Sequence, residues 1–112
     1  MKDLTAVFTG LREMLLEVEA SLTPSVDDST QVRLDYNSEF FAAIKLCKSC
    51  VSYHLLPLYL DPSLREHASP ELRTRLKGKA CFNFTRLEPS HKQDLLALTR
   101  TALEQVKRSS TN

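Results

Sequence analysis

Phe40-Phe41-Ala42-Ala43-Ile44-Lys45-Leu46-Cys47-Lys48-Ser49-Cys50-Val51-Ser52-Tyr53-His54-Leu55-Leu56 is the stretch on which the fold turns. Residues 40–47 and 50–56 read as two strands around a Lys48-Ser49 turn. A two-residue link cannot cross over, so the strands are antiparallel. The turn predicts the register: Cys47 opposite Cys50, Lys45 opposite Ser52, Ala43 opposite His54. Parity then sorts the side chains. Phe40, Ala42, Ile44, Leu46, Val51, Tyr53 and Leu55 share one face; Phe41, Lys45, Cys47, Cys50, Ser52, His54 and Leu56 share the other. Pro57 has no N–H for a ladder and closes the second strand.

Upstream, Val32, Leu34 and Tyr36 alternate with Arg33, Asp35 and Asn37, the period of a half-buried strand. Thr23-Pro24-Ser25-Val26-Asp27-Asp28-Ser29 is loop by composition. Residues 3 to about 21 read as a helix with Asp3 as N-cap; Leu4, Val7, Phe8, Leu11, Met14, Leu15 and Val18 form its apolar stripe. Gly10, Glu13 and Glu17 fall on its opposite, solvent side. Downstream, Asp61 to Glu66 reads as one helical turn. Ser69-Pro70-Glu71 opens a short helix that Gly78 stops. Ala80 to Phe84 alternates as a further strand, and Pro89-Ser90 starts a last helix carrying Leu95, Leu98, Ala102 and Val106 inward.

The expected fold is α+β: an antiparallel sheet of about four strands, packed on one face by the N- and C-terminal helices, with a short helix before the last strand. Residues 1–112 form a single domain. A chain of this length buries about two-thirds of its unfolded surface, and each large apolar side chain removed from water contributes about 1.5–3 kcal/mol. The reverse face of the sheet is left wet and mixed: Arg33, Phe41, Lys45, Ser52, His54, Leu56, Cys81 and Asn83 are its candidate binding residues.

Composition narrows the function classes. Lys+Arg 15 against Asp+Glu 14 gives a net charge of +1, which disfavours a dedicated binder of duplex nucleic acid. The longest apolar run, Leu55 to Leu60, is far short of a membrane span and contains Pro57. Met1-Lys2-Asp3-Leu4 enters an amphipathic pattern directly, without an apolar signal core, so a cytoplasmic chain is expected. Three cysteines, an odd count, fit a reducing compartment.

Cys47-Lys48-Ser49-Cys50 is a C-x-x-C. Redox pairs of that kind place the first thiol at a helix N-terminus, where the dipole lowers its pKa; a hairpin offers no such dipole. Zinc needs four ligands, and Cys81 and His54 complete a set with Cys47 and Cys50 only if the last strand lies beside the strand at residues 50–56. Two neutral thiols flanking a turn are the plainer reading. His67 and His91 read as solvated. Lys77-Gly78-Lys79 lacks the further glycines and hydroxyl of a phosphate-binding loop. No nucleophile elbow or dinucleotide fingerprint occurs, so no enzyme is expected.

Val51-Ser52-Tyr53-His54-Leu55-Leu56-Pro57-Leu58-Tyr59, followed by Ser69-Pro70-Glu71-Leu72 and Lys77-Gly78-Lys79-Ala80-Cys81-Phe82-Asn83-Phe84, resembles the bacterial YdhG-like family of small domains. The resemblance runs from about Glu39 to the last helix. It implies an antiparallel sheet backed by helices. Some members are described as frataxin-like iron chaperones that deliver iron for iron–sulfur cluster assembly. Carried over, that role makes iron the cargo and Glu13, Glu17, Asp27 and Asp28 its carboxylate ligands. The expectation is therefore a small non-enzymatic binding module. Its candidate partners are iron, another small ligand, a protein, or a second copy of the chain held at the open sheet face.

Overall fold

The structure is a computed structural model and describes residues 4–18, 22–77 and 81–110. Its sheet has six antiparallel strands: β1 (Thr23–Asp27), β2 (Gln31–Tyr36), β3 (Glu39–Leu46), β4 (Val51–Leu55), β5 (Leu76–Lys77) and β6 (Cys81–Phe84), in spatial order β1-β2-β3-β4-β6-β5. Helix α1 (Leu4–Val18) precedes it and α4 (Pro89–Ser110) follows. Between β4 and β5 come α2 (Leu56–Leu60), a 3-10 segment (Pro62–His67) and α3 (Pro70–Arg73).

The apolar stripe of α1 is buried as its spacing requires: Val7, Phe8, Leu11, Met14, Leu15 and Val18 all face the core. From α4, Leu95, Leu98, Ala102 and Leu103 are buried beside them. Both sets meet Val32, Leu34, Ala42, Ile44, Val51, Tyr53, Leu55, Phe82 and Phe84 of the sheet in one cluster. The two long helices thus share one face, as the amphipathic patterns demand. The proposed Asp3 cap and the end of the first helix at residues 19–21 lie outside the described residues.

Within the core layer one polar contact stands out. Tyr53 Oη and Thr99 Oγ1 are 2.6 Å apart, both residues being fully buried. Burial pushes the Tyr53 hydroxyl pKa up, so the bond joins two neutral groups.

The central hairpin keeps the predicted register: Lys45 faces Ser52, Ala43 faces His54, and Cys47 N–H donates to Cys50 C=O at 2.8 Å across the Lys48-Ser49 turn. The neighbouring β2–β3 hairpin does not follow simple parity. Leu34 pairs with Ala42, but Asp35 pairs with Phe40, so Phe41 is an extra residue in a β-bulge. Phe41 is 1% exposed in the core, and Phe40 turns to the open face. The expectation for this pair is therefore reversed. The turn itself, Asn37-Ser38, has φ of 52° and 67°, the left-handed pair of a two-residue type I′ hairpin.

Other expectations change as well. Thr23–Asp27 is an edge strand, not a loop. Its side chains are mostly exposed, so no apolar alternation marks it, and Pro24 and a register shift between Pro24 and Val26 suit an edge. Leu56 leaves the sheet to begin α2, because Pro57 fits the first turn of a helix better than a ladder. It is not an open-face residue. Helix α3 ends at Arg73, and Leu76 pairs with Phe82 in β5 instead of extending a helix to Gly78, which lies outside the described residues. Gly10 is not on a free surface: a Cβ there would lie 2.9 Å from Leu87 Cδ2. His91 is not solvated; it is 1% exposed, with Nε2 2.9 Å from Glu71 Oε1 and its ring against Phe84.

Phe41→Ala is expected to cost about 3–5 kcal/mol in urea denaturation, and Phe40→Ala markedly less; equal losses would refute the bulge. Tyr53→Phe is expected to cost about 1–3 kcal/mol by leaving Thr99 short of its buried partner. Adding Thr99→Val should recover part of that loss in a double-mutant cycle.

Candidate functional site

With both long helices on one side, the other side of the sheet is open. Alternation along β2, β3, β4 and β6 puts Arg33, Asp35, Phe40, Lys45, Ser52, His54, Cys81 and Asn83 there. Lys45 is exposed and the others are half-buried. Antiparallel pairing aligns them in rows: Lys45, Ser52 and Asn83 in one, Ala43, His54 and Cys81 in the next.

These side chains hold one another. Arg33 Nε donates to Asp35 Oδ1 at 3.1 Å, and the guanidinium lies 4.8 Å from the Phe40 ring centroid. Phe40 in turn tilts against His54, centroids 5.4 Å apart. His54 Nδ1 is 2.8 Å from Cys81 Sγ. In the adjoining row, Ser52 Oγ donates to Asn83 Oδ1 at 2.9 Å, with Cys47 Sγ 3.6 Å from Ser52 Oγ. The result is a continuous, mixed strip on rigid strands: guanidinium, aromatic ring, imidazole, thiol, hydroxyl and amide.

The electrostatics of the His54–Cys81 pair decide its chemistry. Burial lowers the His54 pKa, and burial, with the nearby Cys47, raises that of Cys81. Both shifts favour the uncharged forms. The pair is a neutral thiol–imidazole contact, the opposite of the thiolate–imidazolium couple that activates a cysteine nucleophile.

The structure brings β6 beside β4, the condition set for a Cys47, Cys50, Cys81 and His54 zinc centre. The ligands nevertheless do not converge. All three cysteines are free thiols, Cys47 turns toward Lys45 C=O and Ser52, and among the described residues no group of three His, Cys, Asp or Glu side chains is placed to hold a metal ion. The carboxylate set implied by the iron-chaperone resemblance is dispersed as well. Asp27 gives both oxygens to Arg12, at 2.9 and 2.7 Å. Asp28 Oδ1 accepts from Thr30 N–H, Thr30 Oγ1 and Gln31 N–H. These bonds hold both carboxyl groups below their usual range. Glu13 and Glu17 are exposed on α1.

Comparison with known protein families, curated proteins and solved structures gives no match to this chain. Its site is therefore read from its own chemistry.

Of the predicted open-face residues, Arg33, Lys45, Ser52, His54, Cys81 and Asn83 lie together, whereas Phe41 and Leu56 do not. Phe40 is the residue that parity missed. The signal was the Phe40-Phe41 doublet, two large rings at adjacent positions where an unbroken strand can bury only one.

The pH dependence follows from His54. Its pKa is lower folded than unfolded, so the unfolded chain takes up the proton first as pH falls through about 6.5. The stability tied to this group is complete above that pH and declines below it. The carboxylates held by hydrogen bonds, Asp27, Asp28 and Asp61, act only below about 3.8. The urea midpoint is thus expected to fall more for the native chain than for His54→Gln between about pH 7.5 and about pH 5; parallel curves would contradict the burial of His54.

Proposed function

We propose that this chain is a non-enzymatic binding module that engages a protein partner through the open face of its sheet. The observation that carries this reading is the Arg33–Phe40–His54–Cys81 strip, fixed in place by side-chain contacts on four-strand backing, with no helix over it among the described residues. Arginine and aromatic side chains are the residues on which protein interfaces concentrate their binding energy. Here they are already ordered, so a partner does not have to supply the entropy of fixing them. Lys45 adds an exposed charge at the margin, suited to steering and to partner choice.

Binding is favoured over thiolate chemistry by the shifts of His54 and Cys81, which both oppose a resting thiolate–imidazolium couple. The YdhG-like motifs between Val51 and Phe84 support placing the chain with those domains. Iron delivery would require oxygen ligands to converge, and Asp27 and Asp28 are committed to Arg12 and to the Thr30 turn. The sheet face, not the carboxylates, therefore carries the proposal. Among the described residues no helix is long and apolar enough to cross a membrane. We place the module in the cytoplasm, where Cys47, Cys50 and Cys81 remain reduced.

Photo-crosslinking tests the face. A benzophenone side chain at position 45 is expected to trap a discrete protein adduct in cells that express the chain, and one at Glu13 on α1 is not. Arg33→Ala with Phe40→Ala should remove the adduct while leaving the circular dichroism spectrum unchanged. Sedimentation velocity of the purified chain shows whether the partner is a second copy. Adducts from position 13 alone, or an adduct indifferent to Arg33 and Phe40, would overturn the reading.

A further inference from the structure

A second concave surface lies on the helix side of the sheet, where three elements end together. The β2–β3 hairpin contributes Tyr36 and Glu39, α2 and its C-cap contribute Pro57, Leu60 and Asp61, and the last turns of α4 contribute Gln105 and Val106. The groove between them has a volume of about 510 Å³, within the range of sites for small molecules.

Its walls and its charge are distinct. Tyr36, Pro57, Leu60 and Val106 form an apolar lining, and Leu60 is 71% exposed. Glu39 and Asp61 supply two carboxylates, and among the described residues no Lys, Arg or His lines the groove. The acidic groups are positioned by the fold. Asp61 Oδ1 accepts from Ser63 N–H at 3.1 Å and from Ser63 Oγ at 2.6 Å, while Oδ2 accepts from Gln105 Nε2. Those bonds keep Asp61 ionised well below neutral pH. Tyr36 and Glu39 are cross-strand partners, fixed by the type I′ turn between them. An aromatic ring paired with a carboxylate is a surface that favours a cation.

We propose that this groove binds a small organic cation, an ammonium group carried on an apolar body. Glu39, Asp61 and the Tyr36 ring meet the charge, and Pro57, Leu60 and Val106 cover the body. An anion meets two carboxylates here, and a bare metal ion would leave the apolar walls unused. The inference is independent of the sheet-face reading, since the groove and the Arg33–Cys81 strip lie on opposite sides of the sheet.

Titration of the full chain followed by amide NMR tests it, with benzylammonium as probe, benzyl alcohol as its neutral counterpart and benzoate as the anion. Benzylammonium is expected to give saturable shifts centred on Glu39, Leu60 and Val106, with binding about threefold to tenfold tighter than benzyl alcohol and no saturation with benzoate. Glu39→Gln, at an exposed site, should narrow the preference for the ammonium over the alcohol, with Asp61 keeping the rest, and Val106→Trp should block both by filling the groove. Equal binding of ammonium and alcohol by the native chain, shifts that persist in both variants, or absence of saturation at these residues would overturn the proposal.

Discussion

Tyr53 and Thr99 meet inside the apolar cluster between the sheet and the long helices. Each hydroxyl, left alone there, would cost more than the bond returns. The pair can be satisfied only if α4 lies across the centre of β4 on the side Tyr53 faces. Once α4 is there, α1 must pack beside it to bury its own stripe, and the buried apolar side chains of the sheet are all spent on one face. The exposure of Arg33, His54 and Asn83 is a consequence of that arrangement, not of any separate feature of the polar side.

Much of this was legible from residue order. The alternation through Val51–Leu55 and Val32–Leu34 fixes which residues are oily on both sides of a turn, and the Lys48-Ser49 link fixes their register. The amphipathic stripes of the two long helices then leave no other place for the core. What parity could not show is the bulge. In a strict ladder continuing from Leu34 and Ala42, Asp35 would face Phe41, Tyr36 would face Phe40 and Asn37 would face Glu39, with Ser38 alone in the turn. A single residue cannot close an antiparallel hairpin. The extra residue restores a two-residue turn, sends Phe41 under the helices and releases Phe40 to the other face. The position of Phe40 is therefore decided by turn geometry several residues away.

Three further misreadings share a cause: the structure was made by backbone or by a distant partner, with no local pattern to reveal it. Strand β1 adds to the edge through its peptide groups, and its exposed side chains carry no periodicity. His91 is buried because Glu71 and Phe84 meet it from elements far along the chain. Gly10 looks free on a helical wheel, yet the segment before α4 brings Leu87 onto it. In each case the neighbours were set by tertiary packing, which outweighs local preference.

The same bulge that frees Phe40 also divides the hairpin's duties. Asp35 and Phe40, paired across it, look to the open face with Arg33; one step further, Tyr36 and Glu39 are paired across the turn and border the groove beside α2 and α4. Two surfaces of different chemistry are thus anchored on adjacent rungs of one ladder. The left-handed Asn37 and Ser38 keep those rungs in register at the tip, where a longer loop would let them shear. Arg33, whose charge is answered by Asp35 and spread over the Phe40 ring, is held away from the acidic groove by the sheet itself. The net charge near zero therefore conceals a local separation: Arg33 and the Phe40 ring lie on one side of the sheet, and the carboxylates of Glu39 and Asp61 border the groove on the other.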